Sequence, residues 1–187
     1  MASTSDFRNG FVFNHKGSLW KIVEFLHVKP GKGPAFVRTK IKNIRTGQVV
    51  DETFRAGEKV EQVRVEAKTL TYQYGDAHHY YFMDNATYDQ VALSADQLGD
   101  AVDFLTENLE VTIAFNGDDP VEVRVPQHLN MKIVKTDPGV RGDTATGGSK
   151  PATLETGVVV QVPLFINEGE TIRIDTRDRR YIERVKA

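Results

Sequence analysis

The sequence contains no cysteine. That excludes disulfides, thiolate nucleophiles and cysteine-ligated zinc together, and it is compatible with a cytoplasmic protein. No long apolar run occurs in the 187 residues, so a membrane-spanning helix, which needs about 20 apolar residues, is not expected. The start, Met1-Ala2-Ser3-Thr4-Ser5-Asp6-Phe7, has neither the basic residues nor the apolar stretch of a secretory leader, and none is expected there. Tryptophan is almost absent. Trp20 stands alone beside a strand, which marks it as a core anchor. No Gly-x-Ser-x-Gly elbow occurs, and no carboxylate is spaced against a nucleophile or a histidine in a catalytic pattern. What remains is a globular chain of 40% hydrophobic residues with no mark of an enzyme and no implied cofactor.

The net charge of −2 hides a strong segregation. Residues 1–65 carry 12 Lys/Arg against 6 Asp/Glu, a net +6. Residues 66–128 carry only Lys68 and Arg124 against 12 acidic residues, a net −10, and residues 129–187 return to +2. A basic outer segment suits a polyanion, whereas the acidic middle reads as a solvated face.

The basic segment is organised around Lys29-Pro30-Gly31-Lys32-Gly33-Pro34. Arms rich in β-branched and aromatic residues flank it: Trp20 to Val28 before, Ala35 to Asn43 after. The second arm alternates Phe36, Arg38, Lys40 and Lys42 against Val37, Thr39 and Ile41, the period of a half-buried strand. The pattern predicts a β-hairpin with Lys32 at its tip. Glycine accepts φ > 0 without a Cβ penalty and proline holds φ near −65°. The stalk is therefore narrow and poor in side chains.

Short strands and turns continue to about residue 65, with a tight turn at Thr46-Gly47, and predict a small SH3-like barrel over 1–65. Residues 66–128 predict strands, a short helix opened by Ser94-Ala95-Asp96-Gln97, and two further strands around Asn116-Gly117-Asp118-Asp119-Pro120. That order suits an OB-type barrel. Residues 129–187 predict a second such barrel: Met131 to Val134, a Gly-rich loop from Asp137 to Pro151, then strands at Gly157–Val162, Pro163–Ile166, Thr171–Asp175 and Tyr181–Val185. The fold class is all-β, three small barrels in a row.

Three other features carry no function. Gly142 to Lys150 lacks the lysine directly after the second glycine that a phosphate loop requires, and Pro151 follows. Arg141-Gly142-Asp143 matches an adhesion tripeptide with nothing to mark export. His78 and His79 are neighbours on a strand and point to opposite faces, so they are not expected to share a metal.

The tip from Lys29 to Arg38 resembles the modification loop of bacterial elongation factor P. The run Gly147 to Gly157, then Val162 to Gly169, resembles that family's C-terminal signature, and the ending Ile174 to Val185 fits too. One departure stands out: Pro34 occupies a place where many relatives carry another residue, often glutamine. The resemblance implies an L-shaped, tRNA-like molecule, an SH3-like domain followed by two OB-type domains. It implies a monomer that binds the 70S ribosome and ribosomal RNA between the peptidyl-tRNA and exit sites and relieves stalling at consecutive prolines. By motif match, Lys32 approaches the acceptor end of the peptidyl-tRNA and is the residue a lysine-modifying enzyme would alter. Tyr181 and Arg184 match small-subunit contacts near the anticodon, and Gly142, Asp143 and Thr144 match a loop near the exit-site codon. The hypusine-bearing factor of archaea and eukaryotes is a cousin with the same first two domains.

The alternative is a single-stranded nucleic-acid binder using its OB barrels. The −10 middle segment opposes it, since such grooves are basic. If the first domain leads docking, reversing Lys40 and Lys42 to Glu weakens ribosome binding more than reversing Lys68 does, and affinity falls with added salt. Co-sedimentation with ribosomes across a salt series measures both; equal effects at all three lysines exclude that docking mode.

Overall fold

The computed structural model describes residues 1–139 and 148–186. Contacts divide the chain into two compact units, residues 1–68 with 113–122, and residues 69–112 with 123–187.

The first six strands are β1 (Ala2–Ser3), β2 (Val12–His15), β3 (Ser18–Val28), β4 (Phe36–Asn43), β5 (Val49–Arg55) and β6 (Lys59–Gln62). They form one sheet in the order β1-β6-β2-β3-β4-β5. Alternation in β4 sends Val37, Thr39 and Ile41 inward and Arg38 outward. The buried Thr39 hydroxyl donates to Glu52 O at 2.8 Å, so burial leaves it satisfied. The core is aromatic. Phe7, Phe11, Phe13 and Phe54 pack with ring centroids 5.4 to 6.1 Å apart, the offset and edge-to-face range that π quadrupoles favour. Trp20 is not the expected anchor: it is half-buried at the edge of this cluster, and its indole N–H donates to His15 O at 3.1 Å. Its polar edge needs a partner, and the barrel rim provides one. Residues 2–6, for which the sequence offered no element, form β1 and a 3-10 turn (Thr4–Asp6) whose Ser3 and Asp6 make a reciprocal capping box.

The second sheet is built from β7 (Glu66–Gly75), β8 (Tyr80–Asp84), β9 (Gln90–Leu93), β10 (Glu110–Asn116) and β11 (Asp119–Arg124), in the order β11-β10-β7-β8-β9. The capping box at Ser94 is present: its hydroxyl accepts from Gln97 N while Gln97 reaches back to Ser94 N. The helix it opens, Ala95–Leu98, is one turn long and runs into a 3-10 helix, Gly99–Phe104.

The third sheet comprises β12 (His128–Thr136), β13 (Ser149–Leu154), β14 (Val159–Pro163), β15 (Thr171–Asp175) and β16 (Arg180–Arg184), in the order β14-β13-β12-β15-β16. In β12, Leu129, Met131 and Ile133 are buried while His128, Asn130 and Lys132 are exposed, a clean period of two. One expected strand is absent. Leu164 and Phe165 form a turn after Pro163, and only Ile166 of that run is fully buried. β14 is the edge strand of the sheet, and its last rung pairs Pro163 with Ser149, the first residue of β13; Leu164 and Phe165 then turn away.

The core of this last barrel includes a ring from the middle segment. Phe104, at the end of the 3-10 helix, is buried among Leu129, Met131, Leu154 and Ile174. The Thr156 hydroxyl donates to Asp103 O at 2.6 Å, and Arg179 Nη2 donates to Asp103 Oδ2 at 2.6 Å with its guanidinium 5.8 Å from the Phe104 ring. Arg179 holds φ 56°, unusual for a residue with a side chain. Phe104→Ala is therefore expected to cost about 3–5 kcal/mol, with hydrogen exchange accelerated in β12 and β15. Exchange unchanged in those strands counts against the shared core.

Candidate functional site

The hairpin of β3 and β4 pairs from Trp20 opposite Asn43 to Val28 opposite Phe36. Its register shifts between Ile22 and Glu24, so Val23 is the extra residue of a bulge, which adds twist to the stalk. Beyond the last pair, residues 29–35 project as a loop. Ala56 N donates to Ala35 O at 3.1 Å and braces its base. Gly31, Lys32, Gly33 and Pro34 are exposed, as is Lys29, while Pro30 is half-buried. Only one of the two glycines uses its special freedom. Gly33 sits at φ +106°, whereas Gly31 does not enter the positive region. Nothing lies within 4 Å of a Cβ built on either, so backbone conformation and not space requires glycine at 33.

Several cations around this hairpin are engaged. Lys40 bridges Glu24 at 3.2 Å, Lys16 bridges Glu52 at 3.1 Å, and Lys21 meets Glu122 at 2.6 Å. The hydrogen bond from Lys16 holds the Glu52 carboxyl below its ordinary range, against the opposing effect of burial. Arg38 lies 5.6 Å from the Phe36 ring centroid. Among the described residues, Lys29 and Lys32 make no hydrogen bond or ion pair, so the tip presents two hydrated ammonium groups. Each offers three donors and no acceptor, a match for phosphate and ribose oxygens.

The other sequence-derived candidates lie in the second unit. Tyr181 is half-buried against the barrel core, opposite Ile174. Arg184, two pairs along the same hairpin, is exposed; its Nη1 donates to Glu170 Oε1 at 3.2 Å. Gly142, Asp143 and Thr144 lie outside the described residues. The chain on either side of them is closely held. Buried Lys150 donates from Nζ to Asp137 O at 2.5 Å, and a Cβ on Gly139 would lie 2.5 Å from Leu164 O, so only glycine fits there.

His78 and His79 serve a turn. Their backbone amides both donate to Asp76 Oδ1 at 2.7 Å, and the Tyr81 hydroxyl donates to Oδ2 at 2.8 Å. Those bonds, the two amides foremost, lower the Asp76 carboxyl to a pKa of about 2. Among the described residues no three metal-ligating side chains converge, and no helix is long and apolar enough to cross a membrane. Sequence reasoning missed the exposure of Phe165, which stands beside Arg184 with 60% of its surface open. Its apolar neighbours predict a strand, whereas Leu164 and Phe165 form a turn.

A KOW-like barrel with a cationic loop, followed by OB-type sheets, defines a translation factor. The family model described as the elongation factor P KOW-like domain matches residues 3–60, the elongation factor P OB domain matches 65–123, and the elongation factor P C-terminal model matches 129–184. Elongation factor P of Rhodococcus erythropolis is 54% identical over 187 residues, covering all of both chains. That of Saccharopolyspora erythraea is 53% identical over 185 residues, covering 99% of this chain and 98% of the relative. Among solved structures, the eukaryotic translation initiation factor 5A from Methanococcus jannaschii shares the fold at 19% identity, with a TM-score of 0.50 over 67% of this chain and 90% of that one. The chain belongs to the elongation factor P family.

Lys32 touches nothing that holds the barrel, so Lys32→Ala is expected to change stability by no more than about 0.5 kcal/mol, read as the melting temperature. Gly31→Ala leaves the backbone amide spectrum of the loop nearly intact, whereas Gly33→Ala redistributes it, because a residue with Cβ is strained at φ +106°. Equal disturbance by both glycine variants contradicts the conformation described.

Proposed function

We propose that the protein binds the 70S ribosome as a monomer between the peptidyl-tRNA and exit sites, lays Lys32 against the acceptor end of the peptidyl-tRNA, and so relieves stalling at consecutive prolines. The observation that carries this is the unengaged Lys32 ammonium on a braced, twisted hairpin, in a chain of this family. Residues 1–65, 66–128 and 129–187 act as the three functional domains of that reading. The first delivers the tip; the last brings Tyr181, Arg184 and the loop holding Gly142, Asp143 and Thr144 to the small subunit.

Proline is a poor partner in peptide-bond formation because its amine is hindered and its φ is fixed. A factor without reacting groups of its own still helps by restraining the tRNA, since holding reactants in a productive geometry removes an entropic part of the barrier. Lys32 then works as a tether, and the ribosome does the chemistry.

Pro34 bears on how well the tether works unmodified. Pro34 fixes its own φ and restricts Gly33, which precedes it. Fewer loop conformers then compete with the bound one. A compatible proline gains about 0.4–1 kcal/mol through the unbound ensemble, roughly two- to fivefold in affinity. In a translation system reading a Pro-Pro-Pro reporter, unmodified protein is expected to restore synthesis, Lys32→Ala to abolish the effect, and Pro34→Gln to reduce it by about that factor. Full rescue by Lys32→Ala excludes the role given to Lys32; a Pro34→Gln protein as active as the parent excludes the rigidity argument.

A further inference from the structure

The turn between β14 and β15 holds an aromatic ring that its own folding does not require. Ile166 is fully buried and anchors the turn, and its amide donates to Pro163 O at 3.1 Å. Asn167 Nδ2 donates to Phe165 O at 3.3 Å, and Asn167 N donates to Glu170 Oε2 at 2.7 Å. The other oxygen of Glu170 accepts from Arg184, whose guanidinium carbon lies 5.9 Å from the centroid of the Phe165 ring. These contacts close a circuit: Phe165 backbone, Asn167, Glu170, Arg184, Phe165 ring. Both ends of the Phe165 residue are thereby positioned, yet 60% of it stays in water. The backbone bonds of the turn need no aromatic side chain, and Ile166 already supplies the anchor.

A ring held out from a fixed backbone, with a cation beside it, has the chemistry of a base-stacking platform. Every nucleobase has a π face, so such stacking tolerates any sequence, and the neighbouring guanidinium can meet the phosphate that follows. Around the turn the charges nearly balance, with six Lys/Arg against five Asp/Glu over residues 163–187, so the flat ring face and the adjacent guanidinium, not net charge, favour a nucleobase.

We propose that Phe165, with Arg184 held beside it by Glu170, is a stacking site for an unpaired base of ribosomal RNA. This rests on the ribosome-binding reading above and adds to it a residue outside the motif-matched contacts. Stacking of one base on one aromatic side chain corresponds to about five- to a hundredfold in affinity.

The test uses the full chain and 70S ribosomes carrying a peptidyl-tRNA at a proline codon. Phe165→Leu keeps an apolar side chain of similar bulk and removes the flat face; Phe165→Tyr keeps the face. The expected result is an affinity loss of at least about fivefold for Phe165→Leu, parent-like binding for Phe165→Tyr, and melting temperatures near the parent's for both. A benzophenone amino acid at position 165 is expected to cross-link to ribosomal RNA. Parent-like binding by Phe165→Leu overturns the proposal, as does an equal loss in Phe165→Tyr. So does cross-linking to protein, message or tRNA in place of ribosomal RNA. If the parent itself fails to bind ribosomes, the ribosome-binding reading is what fails, and the stacking site falls with it.

Discussion

The pairing of β3 with β4 is the interaction on which the candidate site depends. Its register runs unbroken from Glu24 opposite Lys40 to Val28 opposite Phe36, the last rung before the loop. Inward residues Val37 and Ile41 are fully buried, so a slip by one residue would turn the apolar set of β4 to solvent. The core therefore sets the register, the register sets where the loop begins, and the loop has just seven residues to carry Lys32 outward. A cation at the end of such a structure owes its direction to side chains in the barrel interior that no ligand touches.

Much of this was legible in the sequence because the signals were local. The alternation in β4, the Pro-Gly-Lys-Gly-Pro tip and the Ser94 capping box each depend on a few neighbouring residues, and each formed where its chemistry pointed. The errors came where the deciding partner is distant in sequence. Trp20 reads as a core residue by size, but four phenylalanines fill the interior and leave it at the rim. The N-terminal strand β1 is only two residues long and exists because β6 pairs with it. Phe165 sits in an apolar run that looks like a strand, yet Pro163 ends the ladder and the next two residues turn.

Charge in the first unit is arranged differently from its sum. The sequence shows an excess of cations over residues 1–65, but Lys16, Lys21 and Lys40 are each committed to a carboxylate. The exposed pairs, Lys16–Glu52 and Lys40–Glu24, contribute little to stability. Their effect on the surface is larger, because a neutralised lysine contributes little field at a distance. The tip lysines, with no partner among the described residues, keep theirs. In the last barrel the same logic works in reverse: Asp175 accepts from the backbone amide, Nε and Nη2 of Arg177, which spends one arginine on holding a turn.

The burial of Phe104 has a consequence for inheritance. The ring is encoded before the last barrel's first strand, yet it occupies that barrel's interior beside Met131 and Ile174. A gene segment cut at residue 128 would specify a barrel lacking one of its own core side chains, and would leave a phenylalanine stranded on the fragment before it. The stretch that can be duplicated, transplanted or lost as a self-sufficient piece must reach back through Asp103 and Phe104. The self-sufficient piece and the repeating barrel are therefore different lengths of chain.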